Sequence, residues 1–89
     1  MENLEELRKR IDEIDDQLIE LFQERMETVE KIAEAKKDIN KATDDPERER
    51  RIIEKHLPQV KEKWRYYYEC FQEELFRLSK AYQDELRNK

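Results

Sequence analysis

The chain has 89 residues, 48% of them charged and only 36% hydrophobic, with 24 acidic against 19 basic side chains and a formal net charge of −5. Gly is absent and Pro occurs twice, so the Gly-based hairpin turns of a β-rich fold are missing, and the strong helix formers that dominate leave an all-α or a disordered chain, of one domain at most over residues 1–89. The negative balance argues against nucleic acid or an anionic membrane as partner; one His and one Cys exclude the usual zinc sets and any internal disulfide, so no metal is expected.

From Leu4 to Asn40 the sequence runs without a break, with Leu4, Leu7, Ile11, Ile14, Leu18, Leu21, Phe22, Val29, Ile32, Ala33 and Ile39 spaced mostly three and four apart. That period predicts one amphipathic helix. At 1.5 Å per residue it spans roughly 54 Å, whereas a compact chain of this length has a radius of gyration of about 12 Å. The helix therefore either projects as an arm or lies against a second copy. The stretch Lys41-Ala42-Thr43-Asp44-Asp45-Pro46 ends the pattern. Asp45 before Pro46 reads as an N-cap and first helical residue, opening a short second helix to about His56. Pro58 interrupts it, and Gln59 to Lys63 reads as a turn or frayed end. A third helix follows from about Trp64 to Arg87, with Trp64, Tyr67, Tyr68, Phe71, Leu75, Leu78, Tyr82 and Leu86 on one stripe expected to form core. His56 reads as a helix-end residue and Cys70 as a small packing residue. No apolar run approaches the ~20 residues of a membrane span, and Met1-Glu2-Asn3 does not open a secretory signal, so a cytoplasmic location is expected.

Charges occupy positions where apolar residues belong. With Leu4 set to zero, the apolar stripe of the first helix centres near 310°, and Arg25 and Lys36 fall at about 300° and 320°. A full charge in an apolar seam is costly without a partner. Each cation either snorkels to water, pairs with an acid on a neighbouring helix, or binds a ligand. Two of them eleven residues apart, roughly 16 Å along the axis, suit the two ends of a small dianion. On the second helix Glu49 sits at the centre of the face made by Ile52, Ile53 and Val60, with Arg48 beside it. It is either the ion-pair partner of Arg25 or Lys36, or the acceptor for a substrate hydroxyl. Ser79 and Gln83, four apart, lie at the shoulder of the third helix's aromatic stripe. Arg8 is about 25 Å from Arg25 along the first helix, so it reaches the same small ligand only from a second, antiparallel copy.

Taken in order, these residues resemble the small all-helical chorismate mutases of the AroQ type. The opening Leu7-Arg8-Lys9-Arg10-Ile11-Asp12-Glu13-Ile14-Asp15, the pair Glu24-Arg25, Lys36, the run Asp45-Pro46-Glu47-Arg48-Glu49 and the closing Ser79-Lys80-Ala81-Tyr82-Gln83 carry the resemblance, which covers essentially the whole chain. Two stretches depart from the pattern. Residues 40–44 lack the Pro and apolar residue that often precede the acid motif, and 56–63 align loosely. The resemblance implies three helices, long, short and long, in an intertwined, domain-swapped homodimer with two shared active sites that convert chorismate to prephenate without a cofactor. It implies catalytic roles for Lys36, Gln83, Glu49 and Arg25. By position, Arg8 from the partner chain, Arg25, Lys36 and Ser79 would contact substrate carboxylates. Lys36 and Gln83 would contact the ether oxygen, Asp45 and Glu49 the ring hydroxyl, and Arg48 would support the polar network. Two alternatives stand beside this one: an isochorismate-pyruvate lyase, and a non-catalytic helical dimerisation module whose seam charges set pairing register.

Overall fold

A computed structural model describes residues 3–39 and 45–88. Three α-helices follow in order, α1 Leu4–Ile39, α2 Pro46–His56 and α3 Arg65–Arg87, with short 3-10 turns at Leu57–Gln59 and Glu62–Trp64 between the last two. No strand occurs among the described residues. The long, short, long order is the one the periodicity predicts. Asn40 and the break over 41–44 lie outside the described residues. The third helix opens one residue later than expected. The expected turn over 59–63 is instead two 3-10 turns, closed by Val60 N–H to Leu57 C=O and Trp64 N–H to Lys61 C=O, with Arg65 Nε donating to Val60 C=O at 2.9 Å.

Local chemistry sets the helix starts. Asn3 caps α1, its Oδ1 accepting from the Glu6 N–H at 2.9 Å, with Glu5 and Glu6 in the first turn facing the positive end of the helix dipole. Asp45 caps α2 as its sequence position predicts, Oδ1 accepting from the Arg48 N–H at 3.2 Å, and Pro46 occupies the first helical position, where its missing N–H costs nothing.

The second half of α1 packs along α3 in the same direction, Arg25 beside Ser79 and Glu30 beside Tyr82. Helix α2 runs back antiparallel to α3, Glu49 beside Lys80 and His56 beside Tyr68. The first half of α1 stands clear: from residue 4 to 24 only Ile14 is even half-buried, and Leu4, Ile11, Ile19 and Leu21 are more than half exposed. The extents, 56 × 27 × 15 Å, match the roughly 54 Å length of α1, and the radius of gyration of 16.5 Å exceeds the about 12 Å of a compact chain. Within the single chain the first half of α1 projects as an arm.

The aromatic stripe of α3 does not form the core of this chain as expected. Trp64, Tyr67, Phe71 and Leu78 are exposed, and Tyr68, Leu75, Tyr82 and Leu86 are half-buried. The buried residues of α3 are Gln72, Phe76, Ser79 and Gln83, which together with Val29 of α1 make the tightly packed seam. On a helical wheel that buried face is turned by about 90° from the stripe centre. The one-sided seam with α1 and α2 covers only one shoulder of the stripe. Tyr66, which lies off the stripe, is 70% exposed, and Lys61 and Lys63 lie over the Trp64 ring at 5.3 and 4.8 Å. Cys70 is exposed as well, so it does not pack as a small core residue.

Polar bonds fasten the seam. Tyr82 donates its hydroxyl to Glu30 Oε1 at 2.6 Å, and that bond to a carboxylate raises the phenol's pKa above its ordinary value. Tyr68 donates to Gln72 Oε1 at 2.8 Å and is also raised, by burial. Its single proton thus committed, the Tyr68 oxygen accepts from His56 Nδ1–H, which ties the end of α2 to α3. This link is absent from the sequence reading of His56. A raised phenol pKa stabilises the fold fully below the unfolded value of about 10, and the contribution is lost as pH climbs through the folded value. Tyr82→Phe is therefore expected to lower the urea midpoint at pH 7, with the difference from the parent starting to shrink only above about pH 10 and vanishing once pH exceeds the raised folded value; a difference that does not shrink with rising pH contradicts the bond.

Candidate active site

Where α1, α2 and α3 meet, they line an open cavity of about 650 Å³. Its wall includes Arg25 and Lys36 of α1, Arg48 and Glu49 of α2, the cap Asp45, and Ser79, Lys80 and Gln83 of α3, with Val29, Ile32, Ile52 and Phe76 as its apolar part. Seven of the eight residues singled out from the sequence thus converge on one space. Arg8 does not: it is exposed on the projecting half of α1.

Each element delivers its groups for a reason visible in the chain. Arg25 and Lys36 share the α1 face with Val29 and Ile32, and that apolar face docks on α3. Arg25 Nη1 donates to Ser79 Oγ, whose own proton goes to the Leu75 C=O at 2.8 Å. Ser79 therefore accepts from the arginine while staying pinned to its helix. Burial lowers the Arg25 pKa from its ordinary value, as desolvation must for a cation. The Asp45-Pro46 cap starts α2 so that Arg48 and Glu49, one turn on, face the cavity.

Glu49 pairs with Lys80 of α3, Nζ lying 3.2 Å from Oε2 and 3.5 Å from Oε1. The pair brings in Lys80, which neither of the two readings of Glu49 from the sequence had named. It also identifies a cavity cation that the wheel did not single out, since Lys80 belongs to neither the aromatic stripe nor its shoulder. Among the described residues, the cavity lining carries four cations, Arg25, Lys36, Arg48 and Lys80, and two carboxylates, Asp45 and Glu49. The surplus is two positive charges on a chain whose net charge is −5. No group of three or more His, Cys, Asp or Glu suited to a metal ion occurs among the described residues.

The family model described as chorismate mutase type II matches residues 7–84, a span that contains every cavity residue. The chain belongs to the type II chorismate mutase family. Relatives include a bifunctional chorismate mutase/prephenate dehydratase of Aquifex aeolicus, 47% identical over 62 residues, which are 70% of this chain and 17% of that protein. A chorismate mutase of Methanocaldococcus jannaschii is 40% identical over 55 residues, 62% of this chain and 56% of that one. The chain thus spans between a sixth and somewhat over half the length of these two relatives. No solved structure matches it. No helix among the described residues is long and apolar enough to cross a membrane.

Gln83 is the most enclosed polar residue of the cavity, 6% exposed, and its Oε1 is buried without a hydrogen-bond partner. A buried unpaired amide oxygen costs about 1–3 kcal/mol. A core optimised for stability would not keep one, whereas a wall shaped to receive a ligand does. Gln83→Met is accordingly expected to raise the unfolding free energy by about 1 kcal/mol, read from the urea midpoint; a clear loss of stability means the amide is satisfied in the fold.

Proposed function

We propose that the chain catalyses the rearrangement of chorismate to prephenate, as a homodimer with two sites shared between chains. What carries this reading is the convergence of Arg25, Lys36, Arg48 and Lys80 on one cavity of an acidic chain, a surplus of two positive charges among the described lining residues that suits a small dicarboxylate. Family membership supplies the reaction. One domain over residues 1–89 and a cytoplasmic location belong to the same proposal, supported by the breadth of the family match.

The reaction is a concerted shift of bonds: the ether C–O bond breaks as a C–C bond forms, with no proton or group transferred. Residues can accelerate it in two ways. One is to hold the flexible dianion folded, so that the reacting ends meet. Arg25, steadied by Ser79, and Lys36 grip the carboxylates from α1. Glu49 and Asp45 hold the ring hydroxyl from α2, with Arg48 supporting them. The other is to stabilise negative charge growing on the ether oxygen. Lys36 supplies an ammonium there. Gln83 supplies an amide N–H, since a half-turn of its side-chain amide exchanges the unpartnered oxygen for the NH2 group. Loss of one such donor costs about 3 kcal/mol, a factor of about 10² in rate.

Helix length supports the shared site, given the role that the family resemblance assigns to Arg8. Arg8 lies about 25 Å from Arg25 along one helix, so only a second chain can bring it to the cavity. Two surfaces support that second chain: the projecting half of α1 with its exposed Leu4, Leu7, Ile11, Leu18 and Leu21, and the uncovered shoulder of the α3 stripe. Burying them together removes apolar area that a lone chain leaves in water.

Two outcomes test the proposal. Purified protein should consume chorismate, followed by loss of its absorbance, and Lys36→Ala should lower kcat at least about 10²-fold while the helical dichroism is retained. Formation of salicylate and pyruvate from isochorismate instead would make it the lyase. Sedimentation should give a dimer, and Arg8→Ala should raise KM without dissociating it; a folded, active monomer removes Arg8 from the site.

A further inference from the structure

We propose that Lys80 is a positioning residue of this site: it holds the Glu49 carboxylate against α3, aimed at the substrate's ring hydroxyl and away from the cations that receive the substrate's carboxylates. The proposal rests on reading the cavity as a chorismate site.

Helix α2 has no buried residue, so packing alone anchors it weakly and its place depends on polar ties to α3. One tie, His56 to Tyr68, fastens its end. The other, Lys80 to Glu49, fastens its first turn, where the cavity residues Arg48 and Glu49 stand. Lys80 reaches both oxygens of the carboxylate, at 3.2 and 3.5 Å, and the two side chains are 33% and 24% exposed, which limits screening by water. Arg25, Lys36 and Arg48 line the same space. A carboxylate without a tether swings to such a cation and cancels the charge that a dianion needs. Lys80 also follows Ser79 directly and precedes Gln83 by one turn, so any shift of the pair is felt against the residues that face the substrate.

A double-mutant cycle on the full chain decides the matter. Lys80→Met should raise KM for chorismate about tenfold with a smaller effect on kcat, and Lys80→Arg should restore KM to within about threefold. Against a Glu49→Gln background, Lys80→Met should have almost no further effect, because Lys80 acts through that carboxylate. Effects of Lys80 and Glu49 that simply add, or an unchanged KM in Lys80→Met, overturn the proposal and leave the chorismate reading standing. If the unaltered chain does not consume chorismate, that reading falls by itself. The same cycle run on the unfolding constant then judges the pair: coupling of roughly two- to fivefold supports the tether, and no coupling overturns it.

Discussion

The hydrogen bond from Arg25 to Ser79 is the interaction around which the molecule is arranged. It puts a permanent positive charge on the apolar face of a helix and draws it out of water, which is why the guanidinium's pKa falls. The cost is tolerable because the hydroxyl is itself fixed to Leu75, so the charge meets an oriented oxygen and not a void. The bond sets the depth at which α1 and α3 meet. Val29 and Phe76 fill the seam beside it, and the cavity opens above.

A second constraint is length. A helix of 36 residues cannot be covered by partners of 11 and 23 residues on one side. Half of α1 must find cover elsewhere, and so must the α3 shoulder that neither α1 nor α2 reaches. The distribution of burial therefore pairs polar groups inside with large apolar ones outside: Gln72, Ser79 and Gln83 are buried while Phe71, Tyr67 and Trp64 are not. For a self-sufficient chain this is inverted. For half of a shared bundle it is consistent, because Ser79 and Gln83 then face a ligand, Gln72 holds Tyr68, and the apolar groups meet a second chain. Stability is given up at Gln83 and in the mutual repulsion of the cavity cations, and both lie where a dianion would relieve them.

Much of this is written locally. The Asp45-Pro46 cap was legible because its chemistry spans four residues, and it fixes where Arg48 and Glu49 point. Arg25 and Lys36 were legible because a long, unbroken period makes a misplaced charge conspicuous. Lys80 was not, since a lysine off the stripe is ordinary on any helix, and it is the approach of α2 that brings Glu49 to it. The α3 stripe misled for a related reason. Periodicity reports that a face is apolar, but not which of several neighbours covers which part of it, and here the covering helices sit about 90° to one side.

Helix number, order and ends, together with the presence of charges on apolar faces, were determined by the sequence alone, because each depends on neighbours within a few residues along the chain. The meeting of α1, α2 and α3 on one cavity, the choice of Lys80 as partner for Glu49, the link from His56 to Tyr68 and the enclosure of Gln83 were decided only in three dimensions. These depend on the rotation of each helix about its axis and on contacts between residues 12 to 54 positions apart. A helical period constrains such contacts to a face but does not choose among the groups that share it.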